Sequence, residues 1–142
     1  MAKQTFTTLK NKTEVGAESQ ASGTGYDEQT SLANLALKVH NELRAKHDDT
    51  GPLTISDDCC KTAQFVANIG VFEHSKPHER NSYGENLGFA YGQTKEMAVE
   101  RAVRGFYDEI EFYNYKSPRN VPKGEMVGHF TQVLIKIKFK VN

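Results

Sequence analysis

The chain has 142 residues, which suits one domain of the commonest size, roughly 100–150 residues, with a core that needs neither disulfides nor metals. Acidic and basic side chains balance at 18 each, which excludes the strong overall positive field that draws a protein to nucleic acid. The two cysteines, Cys59 and Cys60, are adjacent, so the composition also excludes a disulfide framework and favours a reducing compartment.

The first segment, residues 1–29, is rich in Thr, Lys, Glu, Ser, Gln and Gly and contains few large apolar side chains. Such a composition buries too little surface to order itself, so we predict a flexible tail followed by one folded domain over residues 30–142. Residues 1–12 lack the apolar run of a signal peptide, and no later run approaches the ~20 apolar residues of a membrane span. We therefore expect a soluble, intracellular protein.

Three amphipathic helices are predicted next. The first begins at Thr30 or Ser31 and fades near His47, the second is capped by Ser56, and the third is capped by Thr94. Apolar side chains at helical spacing support each helix. They are Leu32, Leu35, Ala36, Val39 and Leu43 in the first, Cys59, Ala63, Val66, Ala67 and Gly70 in the second, and Ala98, Val99, Ala102, Val103, Phe106, Tyr107 and Ile110 in the third.

The remaining segments are a loop and a strand. Residues 74–92 carry Ser, Pro, Asn and several Gly, and they predict a loop. From Phe130 the apolar period changes to two, which predicts a half-buried strand whose lysines protect its exposed face. Because the helices come first and the strand last, the predicted class is α+β.

Four polar side chains are candidates for a site: His74, Glu85, Glu109 and His129. Glycines next to Glu85 and His129 permit tight turns that would position these side chains. Two histidines and two glutamates that converge would suit zinc or a similar divalent ion. Spacing alone favours the alternative, surface histidines and a glutamate in an ion pair. The other histidines are predicted to pack in a helix or to be solvated, and they are His40, His47 and His78.

Several sequence blocks resemble those of one family. The block HNELRAKH at residues 40–47 is similar to the first-helix signature of the CAP superfamily (SCP domain), which groups cysteine-rich secretory, antigen 5 and pathogenesis-related proteins. The blocks HS at 74–75, YGENL at 83–87, FYDEI at 106–110 and GHFTQV at 128–133 match the family's other blocks in the same order. Without a disulfide set or leader, the chain looks most like the Golgi-associated plant pathogenesis-related branch.

The resemblance implies a fold, a metal site and a ligand. The fold is an α-β-α sandwich with an antiparallel sheet and a large cleft. His74, Glu85, Glu109 and His129 form the cleft tetrad, in which the histidines bind a divalent metal such as Zn²⁺ beside the glutamates. The aromatic segment resembles the family's sterol site, and aromatic faces give a sterol large contact area. Its residues are Phe112, Tyr113, Tyr115 and Pro118, with aromatic packing against the third helix as the alternative.

The chain also departs from the family pattern. Phe106 and Ile135 stand where tryptophan is usual, and the chain has no Trp. The family continues after the strand of His129 with further strands, whereas this sequence ends at Asn142. The sheet would then be incomplete at its C-terminal side, and its open edge predicts pairing with a second chain, such as a homodimer.

These observations support one function and two alternatives. We expect a non-enzymatic module that binds lipid or sterol peripherally at a membrane surface, on the Golgi or in the cytoplasm, with secretion as the alternative location. A metal-dependent hydrolase is the second hypothesis, with Glu85 or Glu109 as general base. No nucleophile is paired with a base, so no catalytic residue is assigned. A protein-interaction scaffold that forms dimers is the third hypothesis.

Overall fold

A computed structural model describes residues 4–8, 24–80 and 83–135. Its helices and strands are those of an α+β domain. In chain order they are β1 (Gln4–Thr8), α1 (Thr24–Arg44), α2 (Asp57–Ile69), β2 (Gly84–Gly88), α3 (Lys95–Asp108), a 3-10 helix (Glu109–Phe112) and α4 (Gly128–Val133).

Helices α1 and α3 pack together and form the centre of the core. The buried cluster consists of Val39 and Leu43 from α1 and Val103 from α3, with Leu35 and Tyr107 packed against it. These are residues of the predicted apolar stripes, because a 3.6-residue period brings them to one face of each helix. The predicted cap of α3 is confirmed, since the Thr94 side chain accepts a hydrogen bond from the Met97 N–H at 3.3 Å.

Helix α2 follows the sequence prediction closely. Ser56 occupies its N-cap position, although its side chain makes no capping hydrogen bond. Cys59, Ala63, Val66 and Ala67 are the buried residues of the helix. Gly70 was predicted on the buried face, but it is the exposed C-cap, with φ at +74°, a left-handed conformation that glycine adopts without strain.

The described sheet has two parallel strands, β1 and β2, with Glu85 beside Thr5 in the register. The parallel pairing differs from the expected antiparallel arrangement. Strand β2 lies inside the segment predicted to be a loop. The strand could not be recognised from the sequence, because its three central residues are all buried and show no period-two alternation. The sheet is short, and its second strand, β2, carries Glu85 of the predicted tetrad.

The strand predicted from Phe130 is wrong over the described residues. Helix α4 occupies this stretch, and Phe130 and Val133 are both fully buried on one helical face. Their three-residue separation fits a helix turn, whereas the alternation that suggested a strand depends on later residues. Those residues, 136–142, include Ile137, Phe139 and Val141 of the predicted strand, and they lie outside the described part of the chain.

Two ordered elements fall within residues 1–29, the segment predicted to be a tail. Strand β1 covers Gln4–Thr8, whose threonines and phenylalanine favour extended structure. Helix α1 begins at Thr24 rather than at Thr30.

No helix in the described ranges combines the length and apolar character needed to cross a bilayer.

Candidate functional site

The first half of the site is a hydrogen-bonded pair formed by His74 and Glu85. The Nδ1 atom of His74 lies 2.8 Å from Oε1 of Glu85, whose side chain is buried in β2. Ser75 adds two further donors to the same carboxylate, its main-chain N–H at 3.0 Å and its hydroxyl at 2.7 Å. The carboxylate is therefore held by three donors from two successive residues of the loop before β2.

Arg80 supports this loop. Its Nη1 donates to the carbonyl oxygen of Ser75 and lies 3.7 Å from Oε1 of Glu85, while its Nε donates to the carbonyl of Tyr83 at 2.6 Å. The guanidinium thus joins the start and end of the loop and adds positive charge beside the buried carboxylate. Sequence reasoning missed both Ser75 and Arg80 as partners of Glu85, because loop residues carry no periodic signal.

The second half of the site is formed by Glu109 and His129. Glu109 is the first residue of the 3-10 helix after α3, and His129 is the second residue of α4. Nδ1 of His129 lies 2.6 Å from Oε1 of Glu109. The other carboxylate oxygen accepts the main-chain N–H groups of His129 at 2.9 Å and Phe130 at 3.1 Å.

The two pairs share one design. In each, a glutamate binds Nδ1 of a histidine and a main-chain N–H of that histidine or of the next residue. A carboxylate on Nδ1 fixes the orientation and tautomer of an imidazole and leaves Nε2 as its outward donor atom. Phe106 also stacks on the His129 ring, with centroids 4.9 Å apart. The glutamates therefore orient the histidines.

The donor set determines how a metal could be held. Histidines whose Nδ1 is bound to a carboxylate are the usual arrangement around zinc, with Nε2 as the ligand atom. Each glutamate accepts three hydrogen bonds, one of them from the Nδ1 atom of its histidine. Among the described residues, no group of three or more His, Cys, Asp or Glu side chains is placed to hold a metal ion. The arrangement thus leaves the Nε2 atoms of two oriented imidazoles as candidate ligand atoms.

A serine nucleophile is not assembled at this site. The Ser75 hydroxyl donates to Oε2 of Glu85 at 2.7 Å, so its proton is directed at a carboxylate that is already bound to His74. Activation of a serine requires a base that accepts the hydroxyl proton and is in turn oriented by a third group. His74 is bound to the other carboxylate oxygen and takes no part in the Ser75 bond.

Of the other histidines, His40 and His47 have structural contacts. His40 is fully buried in α1 and its Nδ1 lies 2.7 Å from the Ala36 carbonyl oxygen. His47 lies 2.8 Å from the hydroxyl of Tyr107 through Nε2 and 3.5 Å from the hydroxyl of Tyr115 through Nδ1. Burial and the nearby Lys46 lower the pKa of His47. His78 is exposed in the loop before β2.

A groove of about 560 Å³ lies at the end of the 3-10 helix. Three of the four predicted lipid-site residues line it, whereas Pro118 is exposed and does not. Tyr113 lies with its ring 5.1 Å from that of Phe130, so it belongs partly to the core, and Tyr115 is 61% exposed. The lining residues are Glu111, Phe112, Tyr113, Asn114, Tyr115, Lys116, Asn120 and Pro122.

Comparisons with known proteins find one family and several relatives that are similar to this chain. The sequence profile of the CAP family, the cysteine-rich secretory protein family, matches residues 37–136. Protein PRY2 of Saccharomyces cerevisiae is 39% identical over 110 residues, which cover 78% of the chain and 30% of the yeast protein. Pathogenesis-related protein 1A of Nicotiana tabacum is 35% identical over 100 residues, which cover 69% of the chain and 56% of the tobacco protein.

More distant similarity extends to venom allergen 5.02 of Vespa crabro, which is 30% identical over 117 residues, covering 69% of the chain and 57% of the allergen. The chain spans between 30% and 57% of the length of these relatives. No solved structure matches the chain.

Proposed function

The chain belongs to the CAP family of cysteine-rich secretory proteins, and from this premise we propose that it is a non-enzymatic domain that binds a lipid or sterol at a membrane surface. The observation that carries the proposal is the aromatic groove after α3. Ligand sites for small molecules have volumes of about 300–1,000 Å³ and are lined by aromatic side chains with a few polar groups. The groove, at about 560 Å³, has this size, and Phe112, Tyr113, Tyr115 and Pro122 line it together with four polar or charged residues.

The rings of the groove have different roles. Tyr113 and Tyr115 contact each other edge to face, with centroids 4.9 Å apart. Tyr113 is also packed on Phe130, so it ties the groove to the core, while Tyr115 exposes most of its surface. An exposed tyrosine presents an apolar face for a flat ring system and a hydroxyl for its polar end. Tyr115 is therefore the residue whose removal tests binding without disturbing the core.

The test is the binding of radiolabelled cholesterol to wild type, Tyr115→Ala and Tyr91→Ala. We expect Tyr115→Ala to weaken binding by at least about tenfold, since burying an aromatic ring contributes on the order of 1.5–3 kcal/mol and 1.4 kcal/mol is about tenfold. Tyr91 is 78% exposed and lies outside the groove, so its variant is the matched control and should bind like wild type. Absence of binding in all three proteins, or equal binding in all three, would refute the proposal.

We further propose that His74 and His129 bind a divalent metal such as Zn²⁺ through Nε2. The support is the carboxylate on each Nδ1, which orients the imidazole and raises its basicity as a ligand. Calorimetric titration with ZnCl₂ compares wild type with the double variant His74→Ala, His129→Ala, and with His78→Ala as the control at an exposed histidine. We expect binding to be lost only in the double variant, and tight binding that survives both substitutions would contradict the assignment.

A hydrolase is the weaker alternative. A general base must accept a proton from the water it activates, and each glutamate of the pairs already accepts three hydrogen bonds, which leaves about one of its four acceptor sites. We therefore expect no zinc-dependent hydrolysis of 4-nitrophenyl acetate above that of the His74→Ala, His129→Ala variant. Zinc-dependent turnover in wild type alone would favour the hydrolase.

For location we propose peripheral attachment to the cytoplasmic face of Golgi membranes. The support is the pair of free thiols, Cys59 and Cys60, which persist in a reducing compartment. Protease protection of the full-length protein in isolated membranes tests this placement. Digestion without detergent is the expected result, whereas protection or appearance in the medium would show the secreted alternative.

A further inference from the structure

Asn86 connects the two halves of the site. It is the residue after Glu85 in β2 and is 3% exposed. Its Nδ2 donates to the main-chain carbonyl oxygen of His129 at 3.1 Å. A buried amide of this kind keeps its protein partner, because no water is available to replace it. Strand β2 therefore contacts directly the segment that carries the second histidine.

The packing around β2 leaves this segment little freedom. Successive strand residues point to opposite faces, so Gly84 and Gly88 share the face of Asn86. The side chain of Gln132 in α4 occupies the space of a Cβ at Gly84, and a Cβ at Gly88 would lie 2.7 Å from the Cβ of Ala102 in α3. This face of β2 thus contacts both α3 and α4 closely.

We propose that Asn86 is a positioning residue that fixes the imidazole of His129 relative to that of His74. Glu85 holds His74 and Asn86 holds the main chain of His129, so two successive residues of one strand set the placement of both rings. Two histidines bind one ion tightly only when they are held in place before it arrives. This inference rests on the proposed metal binding.

The test is a zinc titration of wild type and of Asn86→Leu, which keeps the volume but removes the donor. Asn86→Ala serves as a second variant, and circular dichroism confirms that each is folded. Loss of a partner behind the ligands typically lowers metal affinity by about 10- to 100-fold, and we expect this loss in both variants.

Asn41 provides the matched control. Its Oδ1 accepts a hydrogen bond from the N–H of Leu53 at 2.7 Å, and its Nδ2 donates to the Leu53 carbonyl oxygen at 3.1 Å. Like Asn86, it therefore binds the main chain through its side-chain amide, but it contacts neither histidine of the site. Asn41→Ala should lower the stability of the fold but leave zinc affinity within about twofold of wild type. Because a tenfold change in affinity is about 1.4 kcal/mol, this is a change in binding free energy of less than about 0.5 kcal/mol. Equal loss of affinity in the Asn41 and Asn86 variants, or no loss in the latter, would overturn the inference.

A double-mutant comparison separates positioning from stability. In a His129→Ala background there is no second imidazole to position, so Asn86→Leu should cause no further loss of zinc affinity. An additional loss of the same size as in wild type would show that Asn86 acts elsewhere, and would contradict the proposed role.

A metal-free measurement distinguishes failure of this inference from failure of the metal proposal. The amides of His129 and Phe130 donate to Glu109, and the Ser75 amide donates to Glu85. In Asn86→Leu, hydrogen exchange of the first two amides should accelerate at least about tenfold relative to that of Ser75. If wild type binds no zinc, the metal proposal fails and exchange alone decides: unchanged rates at His129 and Phe130 refute the positioning role.

Discussion

Two polar side chains of α1, His40 and Arg44, are buried one turn apart and respond differently to burial. His40 stays neutral, because burial, with a smaller contribution from the nearby Arg44, lowers its pKa to about 4. Arg44 remains charged, although burial also lowers the pKa of its guanidinium. The difference follows from their reference pKa values, since only the imidazole titrates near neutral pH.

His40 makes stability depend on pH in a defined window. In the unfolded chain its pKa returns to about 6.5, so between pH 6.5 and pH 4 the unfolded state binds the proton and the folded state does not. The contribution of neutral His40 to the free energy of unfolding is therefore fully present above pH 6.5, and it is lost as the pH is lowered to 4. We expect wild type to lose roughly 2–3 kcal/mol more than His40→Gln between pH 7 and pH 4.5 in urea unfolding. Equal losses in the two proteins would contradict this prediction.

Arg44 joins α1 to two other segments through their carbonyl oxygens. Its guanidinium donates to Gly51 at 2.9 and 2.6 Å, to Val133 at 2.7 Å and to Ile135 at 3.1 Å. It is 1% exposed, so these oxygens have little access to water when the side chain is removed. Arg44 therefore stabilises the end of α4, the helix that carries His129.

We predict that Arg44→Met lowers the free energy of unfolding by about 2–4 kcal/mol, because buried carbonyls lose their donors. Urea unfolding followed by circular dichroism measures the change. Arg104→Met is the control, since Arg104 is paired with Glu100 and Glu42 at the surface and its loss should change stability little. Similar losses for the two variants would show that burial of the Arg44 contacts is unimportant.

At the level of elements, Gly88 in β2 and Gly105 in α3 differ in the space around them. Gly88 faces α3 so closely that an added Cβ would lie 2.7 Å from the Ala102 Cβ and 3.3 Å from Cζ of Phe106. Among the described residues, in contrast, none comes within 4 Å of a Cβ added at Gly105. No other segment of the described chain therefore packs closely on α3 at this position.

We predict that Gly88→Ala and Gly105→Ala change stability in opposite directions. Gly88→Ala should lower the free energy of unfolding by about 1–3 kcal/mol, because overpacking forces β2 and α3 apart. Gly105→Ala should raise it by up to about 1 kcal/mol through improved helix propensity. Thermal unfolding measures both, and a stabilised Gly88 variant would show that β2 is not in close contact with α3.

The helices were predictable because their signal is local. The apolar spacing of α1, α2 and α3 and the Thr94 cap depend on residues within a few turns of one another. Strand β2 was not, since its buried centre is covered by elements distant in sequence and its alternation is absent. Helix α4 was mistaken for a strand for a similar reason: Phe130 and Val133 fit either element until packing decides.

For the whole molecule, surface composition favours self-association. Phe65, Phe72 and Phe89 are 57%, 58% and 61% exposed, and the rings of the latter two lie 6.1 Å apart. The net charge is zero at pH 7, so little repulsion keeps copies apart. Exposed apolar clusters of this kind promote association between chains.

We predict that the mass of the wild-type protein in size-exclusion chromatography with light scattering rises with concentration. Phe72→Lys should remain monomeric over the same range, because it interrupts the apolar cluster with a charge. Met126→Lys is the control, as it places the same charge at another residue that is 64% exposed. A wild-type protein that is monomeric at the highest concentration would refute the predicted self-association.

The sequence by itself determined the α+β class, the three long helices and the family, because periodicity, caps and sequence blocks are written in neighbouring residues. It also identified His74, Glu85, Glu109 and His129 as a set. Only the tertiary structure decided how they are paired, since the bonds from His74 to Glu85, from His129 to Glu109 and from Asn86 to His129 join residues 11, 20 and 43 positions apart. Contacts over such separations depend on how the helices and β2 pack, and no local pattern records them.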